Sequence, residues 1–572
     1  MVVLRKPPLA TGDYGGTKLS LLLEKQHNRG QDGAGVAILS ARPVPGEEPY
    51  WLAKSASATP LVDILGAVAK RMPSKSSERT FLGHLRYATF GKNDVAFCHP
   101  FVHESSELAH TLLLAGNFNL TNATELFDDY SRHGSFPTSR ADGYLITELI
   151  AHELQNGKPP AEALSAALAN ADGAWTLCGT TGDGWAFATR DPHGIRPGWY
   201  YVDDDVAVVA SERPAIQAAF DVPPEAVKEL PPGQALVISP DGKVLMSELC
   251  SDNPSFRPCS FERIYFSRAN DADIHREHKA LGAALLPQIL EAADAPMEDI
   301  FFSYIPNSAR IAFHGLLEKM FHSATPPRFG EVAVKDAKFR TFIADAAARR
   351  EFYKHVYDVT YGLVRPGRDT LVVLDDSIVR GNTMKNAILP MLDRLGPKRI
   401  VVASSAPPIR YPDCYGIDMS TLGELVAFRA LVNLLDGEGG TGNGERELRE
   451  ALAESEHLHD STCSTRPKFS NPLAPLYARF TNEQHAAEIA RILTPPGMKA
   501  EVTVVYQTVE NLRRCLERKT TDVGSNSQLS TLNSQLHLGD WYFTGDYPTP
   551  GGYKVLQRAV SNYLERKTDR SY

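Results

Sequence analysis

Residues 371–383 read Leu-Val-Val-Leu-Asp-Asp-Ser-Ile-Val-Arg-Gly-Asn-Thr. The four apolar residues read as a buried parallel strand. Asp375 and Asp376 emerge at its carboxyl end, where open α/β sheets place their ligands. Two adjacent carboxylates can accept hydrogen bonds from ribose hydroxyls and help hold Mg²⁺, which prefers hard oxygen ligands. The loop that follows, Ser377, Ile378, Val379, Arg380, Gly381, Asn382 and Thr383, offers backbone N–H groups, two hydroxyls and a helix amino terminus to a phosphate. A bare Asp-Asp pair is most often a solvated turn. Here the whole string has to be explained, and a phosphorylated sugar explains it.

The flanking sequence supplies the elements that would hold this loop. Met384, Ala387, Ile388, Met391, Leu392 and Leu395 recur at spacings of three and four, one buried helix face. Gly396-Pro397 stops that helix, and Ile400 to Ala403 form the next apolar run. Strand, loop, helix and strand make a βαβ unit. Upstream, residues 300–305 predict a buried strand closed by Pro306, and Ala309, Ala312, Phe313, Leu316, Leu317, Met320 and Phe321 predict a core-facing helix.

A chain of 572 residues is too long for one ordinary core. Its 43% hydrophobic and 23% charged residues are globular values. The net charge of −9 argues against a nucleic-acid surface. No apolar run approaches the roughly 18 residues of a membrane span, and the start does not read as a secretory signal. Seven scattered Cys without a CxxC suggest a reduced, cytoplasmic protein without a disulfide framework or structural zinc.

Residues 1 to about 245 alternate short apolar runs (174–178, 185–188, 206–210, 235–238) with Gly, Asp and Pro, which predicts many strands. Helices are expected near 17–27 and 142–155. Several strings in this half resemble class II glutamine amidotransferases. Gln26-His27-Asn28-Arg29-Gly30-Gln31-Asp32-Gly33-Ala34-Gly35 resembles Gln-His-Arg-Gly-Gln-Asp-Ala-Ala-Gly with one extra residue, Asn28. Residues 83–89 (Gly-His-Leu-Arg-Tyr-Ala-Thr) resemble Gly-His-x-Arg-Tyr-Ser-Thr, residues 117–122 resemble Asn-Gly-Asn-Leu-Thr-Asn, and residues 190–197 resemble Arg-Asp-Pro-x-Gly-Ile-Arg-Pro. Residues 371–383 closely resemble the phosphoribosyl diphosphate (PRPP) signature of type I phosphoribosyltransferases. Residues 259–268 and Arg340-Thr341-Phe342-Ile343 add further matches. In shared order and spacing these motifs resemble the glutamine PRPP amidotransferase family.

The resemblance implies an α+β, N-terminal-nucleophile-type αββα glutaminase domain over 1–250, followed over 251–435 by an α/β type I phosphoribosyltransferase domain with a parallel sheet. A flexible linker (436–470) and a helical carboxyl-terminal tail (471–572), with a disordered insertion near 520–536, complete the expected organisation. The implied reaction converts PRPP, glutamine and water to 5-phosphoribosylamine, glutamate and pyrophosphate, the first step of purine synthesis. Arg86 would pair with the glutamine carboxylate and Asp142 with its ammonium. Asn117 and the backbone N–H of Phe118 would form the oxyanion hole. Asp375 and Asp376 would hold ribose and Mg²⁺, residues 377–383 the 5-phosphate, and Arg340 would belong to a loop (334–350) closing over the site. The Arg190–Pro197 string reads as a structural turn, with Arg196 tying domains together. Purine nucleotide inhibitors and a homodimer or homotetramer are implied as well.

Three departures qualify the resemblance. The family's nucleophile is an amino-terminal Cys followed by Gly, whereas this sequence opens Met-Val-Val-Leu and its first Cys is Cys98. A Cys-Gly pair just upstream of Met1 in the reading frame is expected; the alternatives are an ammonia-dependent transferase and a catalytically silent PRPP-binding regulator. A glutamine:fructose-6-phosphate aminotransferase relative shares the first half, but residues 371–383 disfavour it. Some family members bind a [4Fe–4S] cluster through four Cys. Here Cys259 stands at one ligand position, Asp413 (beside Cys414) at the second, and Gly539-Asp540-Trp541-Tyr542 in the region of the final CxxC, so no iron–sulfur cluster is expected. Ala309 stands where the family often has a Ser ligand, with Ser308 adjacent.

Overall fold

The computed structural model describes residues 1–6, 14–40, 43–71, 78–88, 94–132, 134, 136–250, 255–321, 325–335, 357–437, 442–460, 470–517 and 538–567. Arg340, most of the expected closing loop and the 520–536 insertion lie outside the described residues.

Among the described residues, the first half builds two antiparallel sheets. One has seven strands in the spatial order Lys228–Glu229, Trp199–Val202, Val206–Ala210, Val2–Leu4, Glu78–Arg86, Gly33–Ser40, Tyr50–Ser55. The other has six, in the order Val244–Glu248, Gln234–Ile238, Ala186–Arg190, Gly173–Thr181, Leu112–Leu120, Phe101–His103. The two-residue side-chain period of a strand feeds two cores at once. In Gly33–Ser40, Val36 and Ile38 pack outward against helices Tyr14–Lys25 and Pro60–Arg71, while Ala37 and Leu39 pack inward against the second sheet. Helices Asp142–Gln155 and Pro160–Leu168 cover the second sheet's outer face through Ile146, Ile150 and Leu164. The result is the αββα sandwich the motifs implied.

The second half carries a parallel five-stranded sheet: Arg328–Phe329, Ile300–Tyr304, Thr370–Asp375, Arg399–Ser404, Glu501–Tyr506. Leu371 and Val373 face one core with Ile388, Leu392, Ile489 and Leu493. Val372 and Leu374 face the other with Leu285, Phe313 and Leu316. Burial on both faces explains the unbroken apolar run before Asp375. No helix among the described residues is long and apolar enough to cross a membrane.

Two segments differ from expectation. The fifth strand, Glu501–Tyr506, lies inside the stretch read as a helical tail. A six-residue run with three valines has no period long enough to identify it, and its pairing with Arg399–Ser404 decides the matter. Within the expected linker, Asn443–Asp460 is a helix. The glycines end at Gly444, and Leu448, Ala451 and Leu452 then recur at helical spacing and pack into the carboxyl-terminal core. Asp436 Oδ1 accepts the Gly444 N–H at 2.8 Å and helps set the turn before it.

Candidate active sites

A cavity of about 470 Å³ is lined by residues of both halves, including Arg86, Asn117, Asp142 and Asp418. The Leu112–Leu120 strand forms one wall. The Gly116 N–H donates to His99 Nδ1 at 3.3 Å, and the Leu120 N–H reaches the Asp142 carboxylate. Alternate N–H groups leave a strand on the same side. The Phe118 N–H therefore stands between these two, pointing away from the Gly173–Thr181 partner strand. The ring of Phe118, where the family motif has Gly, packs 5.3 Å from the His99 ring. Gly143 makes room for it, since a Cβ there would come within 2.9 Å of Phe118 Cζ.

Arg86 ends the Glu78–Arg86 strand, is 7% exposed, and lies over the Phe97 ring at 5.7 Å. Asp142 opens the Asp142–Gln155 helix, and its Oδ1 accepts the Gly143 N–H at 2.9 Å. Burial pushes the Asp142 carboxyl up to about 6, against the backbone hydrogen bonds that pull it down. A guanidinium and a carboxylate lining one cavity suit a zwitterionic amino acid.

Two histidines in this wall were not singled out from the sequence. His84 and His99 stack at 4.0 Å with planes 14° apart. Burial favours the neutral ring in both, helped by Arg86 at His84 and by His84, Lys54 and Arg86 at His99; His84 is lowered to about 4 and His99 well below its ordinary value. The available signal was position: His84 sits two residues before Arg86, and His99 beside Cys98-Pro100. The thiol of Cys98 approaches Ser55 O at 3.5 Å and is not part of the cavity wall, whereas Cys178 and Met1 are. The Met1 nitrogen donates to Val209 O at 2.8 Å.

The second site is the carboxyl edge of the parallel sheet. Asp375 closes its strand, and its Oδ1 accepts the Asp376 N–H at 2.9 Å. Asp376 Oδ1 accepts the Ser308 hydroxyl and Oδ2 accepts Ser377 Oγ at 2.8 Å. Ser308 thus takes part beside Ala309. Burial raises both carboxyls, and the Asp376 charge raises Asp375 further. Two crowded, desolvated carboxylates are the chemistry a hard divalent cation relieves, so this donor set fits Mg²⁺.

The loop beyond divides its labour. Ile378 is buried in the core, and Val379 O accepts the Val426 N–H at 3.0 Å. Arg380 turns toward Glu424, with Nε–Oε2 at 2.6 Å, and Asp418. Gly381 adopts φ +75°, and a Cβ there would sit 2.3 Å from Leu493 Cδ2. Asn382 and Thr383 are exposed at the head of the next helix. The side chains of 378–380 anchor the loop, leaving backbone groups and the last two side chains for a ligand.

Buried ion pairs join the two halves. Arg29 reaches Glu212 at 2.8 Å and Glu262 at 2.9 Å, and Arg196 reaches Glu262 at 2.9 Å. Burial alone would raise the Glu262 carboxyl, but Arg29 and Arg196 outweigh it and hold it below the ordinary value. The Arg190–Pro197 turn is structural: Arg190 donates to Arg196 O and Gly194 O, both at 2.6 Å, and Asp191 Oδ1 accepts the Ile195 N–H at 3.0 Å.

The residues at the implied iron–sulfur positions do not fit a cluster. Cys259 Sγ contacts Tyr542 Oη at 3.4 Å, and Asp413 Oδ1 accepts the Trp541 indole N–H at 2.9 Å. Trp541 and Tyr542, in the region of the final two positions, are fully buried aromatic core residues that offer no thiolate.

Residues 99–218 match the model of a glutamine amidotransferase domain. Amidophosphoribosyltransferase of Escherichia coli (strain K12) is 31% identical over 425 residues, 70% of this chain and 78% of the relative. That of Bacillus subtilis (strain 168) is 31% identical over 413 residues, 71% of this chain and 79% of the relative. The solved glutamine PRPP amidotransferase from B. subtilis, complexed with ADP and GMP, superposes with a TM-score of 0.65 at 25% identity, covering 94% of this chain and 95% of that one. The chain belongs to the amidophosphoribosyltransferase family.

Proposed function

We propose that the two sites work in sequence, the cavity binding glutamine and the acid pair binding PRPP. The chain is an amidophosphoribosyltransferase, a pentosyltransferase of the first step of purine synthesis. The observation that carries the reading at residue level is the adjacent Asp375–Asp376 pair at the sheet's edge, followed by an anchored loop that ends in exposed Asn382 and Thr383.

In the first site Arg86 orients the glutamine carboxylate and Asp142 its ammonium, which sets the side-chain amide against Asn117 and the Phe118 N–H. Those two donors would stabilise the oxyanion formed as a nucleophile adds to the amide carbon, before the carbon–nitrogen bond breaks to expel ammonia and water releases glutamate; one such donor is worth about 10²–10³ in rate. The stacked histidines, held neutral, add no positive charge beside Arg86. In the second site Asp375 and Asp376 orient the ribose, and the backbone of 377–383 with Thr383 holds the 5-phosphate. When bound, Mg²⁺ on Asp375 and Asp376 would neutralise the departing diphosphate. Ammonia then attacks C1 and pyrophosphate leaves, giving 5-phosphoribosylamine. The division into a glutaminase unit to about residue 250 and a transferase unit beyond it follows the two sheet systems. Because a relative is solved with ADP and GMP, purine nucleotides are the proposed inhibitors.

The experiment is pyrophosphate release from PRPP with Mg²⁺, using ammonium salt or glutamine as nitrogen source. Ammonium-dependent release is expected, and a silent regulator would show neither activity. Glutamine-dependent release separates a complete amidotransferase from a transferase that takes free ammonia.

A further inference from the structure

The cavity wall holds one more polar group that has no contact in the proposed chemistry, the ring of His99. Its two nitrogens differ. Nδ1 accepts the Gly116 N–H at 3.3 Å, and this bond assigns the proton of the neutral ring to Nε2. Among the described residues Nε2 meets no acceptor, yet it is not sealed in the core; His84 Nδ1, by contrast, is buried without a partner. His99 lines the cavity, so its spare N–H opens on that space.

The ring is fixed before any ligand arrives. His84 stacks on it at 4.0 Å, Phe101 meets it edge-on at 4.8 Å, and Phe118 packs at 5.3 Å. Its backbone is held as closely. A Cβ on Gly35 would come within 2.0 Å of His99 O, so the Gly33–Ser40 strand runs directly against it. The Leu112–Leu120 strand sets the place. Gly116 and Phe118 send their N–H groups to the same side, one strand repeat of about 7 Å apart. The acceptor of the first therefore stands beside the second, the oxyanion donor of the proposed reaction. Burial, then His84, Lys54 and Arg86, keep the ring uncharged. A neutral donor suits a neutral acceptor. Arg86 already answers the carboxylate, and the glutamine side chain ends in a carboxamide oxygen.

We infer that His99 is a further substrate-contact residue: its Nε2–H donates to the carboxamide oxygen of glutamine beside the Phe118 N–H, and it selects amino acids that carry a neutral acceptor there. The inference deepens the assignment of glutamine to the cavity and rests on it.

Calorimetric titration with glutamine and with L-norvaline, which has a methyl group in place of the carboxamide, tests this in the full chain, in His99→Phe and in His99→Gln. Wild type should bind glutamine about tenfold or more tighter than norvaline. His99→Phe keeps an aromatic ring and loses both nitrogens. It should shrink that preference about fivefold while the norvaline Kd stays within about twofold. His99→Gln offers an oxygen to Gly116 and an N–H to the ligand, and should restore the preference to within about threefold of wild type. A ring that merely supports the wall would weaken both ligands alike, and that result overturns the inference, as does a folded His99→Phe protein with the wild-type preference. If His99→Phe does not fold, nitrogen-15 NMR of histidine-labelled wild type decides. Nε2 should be protonated and should shift with glutamine but not with norvaline; a proton on Nδ1, or equal shifts with both ligands, overturns the inference. Wild type that binds both ligands equally overturns it and leaves the cavity as an amino-acid site. Wild type that binds neither overturns the assignment of the cavity and the inference with it, a failure visible before any variant is made.

Discussion

The two sites handle buried acid in opposite ways. In the cavity the Asp142 carboxylate shares a wall with the cationic Arg86 and is raised to about 6 by burial. At the sheet's edge two carboxylates crowd together, and both are raised, Asp375 by burial and by its neighbour's charge. The first arrangement matches a ligand that brings one positive and one negative group. The second is a donor set that suits a multivalent cation, in keeping with the proposed ligand carried with Mg²⁺. The scaffolds differ accordingly. An antiparallel strand aims a row of N–H groups sideways into the cavity, whereas a parallel strand delivers its acids end-on into a loop.

The difference can be pressed from both sides. Replacing the pair, Asp375→Asn with Asp376→Asn, should lower ammonia-dependent pyrophosphate release by about 10³ or more, the several kcal/mol expected where the groups holding a catalytic cation are lost. Unchanged turnover would remove the acid pair from the chemistry. Glu262→Ala strips Arg29 and Arg196 of their shared partner between the halves and should cost about 3–5 kcal/mol in urea unfolding, because buried Arg196 loses its carboxylate partner and buried Arg29 loses one of two, keeping Glu212. A cost near zero would show the halves joined by something other than these pairs. Asp142→Asn should weaken glutamine about 10- to 100-fold in calorimetry, the value of a hydrogen bond to a charged group, while ammonia-dependent turnover holds. Parallel loss of both would mean that the two sites are not separable. The smallest effect is in pH. A carboxyl raised to about 6 takes up a proton as pH falls through that value, and the charge facing the ammonium disappears. Glutamine affinity should be flat from pH 7 to 8 and then fall about tenfold per unit well below pH 6, a decline that Asp142→Asn abolishes.

The sequence disclosed most where a local pattern and a chemical string coincide. The run before Asp375 is apolar because its strand is covered on both faces, and the same run announces the loop that follows. The Asp142–Gln155 helix falls where the sequence predicts one, and Asp142 was a candidate only through what the resemblance implies. What stayed hidden depends on contacts between distant residues. His84 and His99 are fifteen positions apart and meet only because two strands end at one cavity. The Glu501–Tyr506 strand is too short for its period to speak, and nearly a hundred residues separate it from the strand that pairs with it. Likewise, nothing at Arg380 announces that its side chain points to Glu424 and Asp418. The resemblance to iron-binding relatives gave ligand positions but could not show that Trp541 hydrogen-bonds Asp413 and that Tyr542 meets the Cys259 thiol.

The central claim is that two acids at the edge of a parallel sheet, with the loop after them, grip PRPP. Calorimetric titration of PRPP into the protein with Mg²⁺ tests it most directly. Saturable binding is predicted, lost on removal of Mg²⁺ and in the Asp375→Asn, Asp376→Asn variant. A titration of folded wild-type protein that shows no binding, or binding that the variant retains in full, would contradict it.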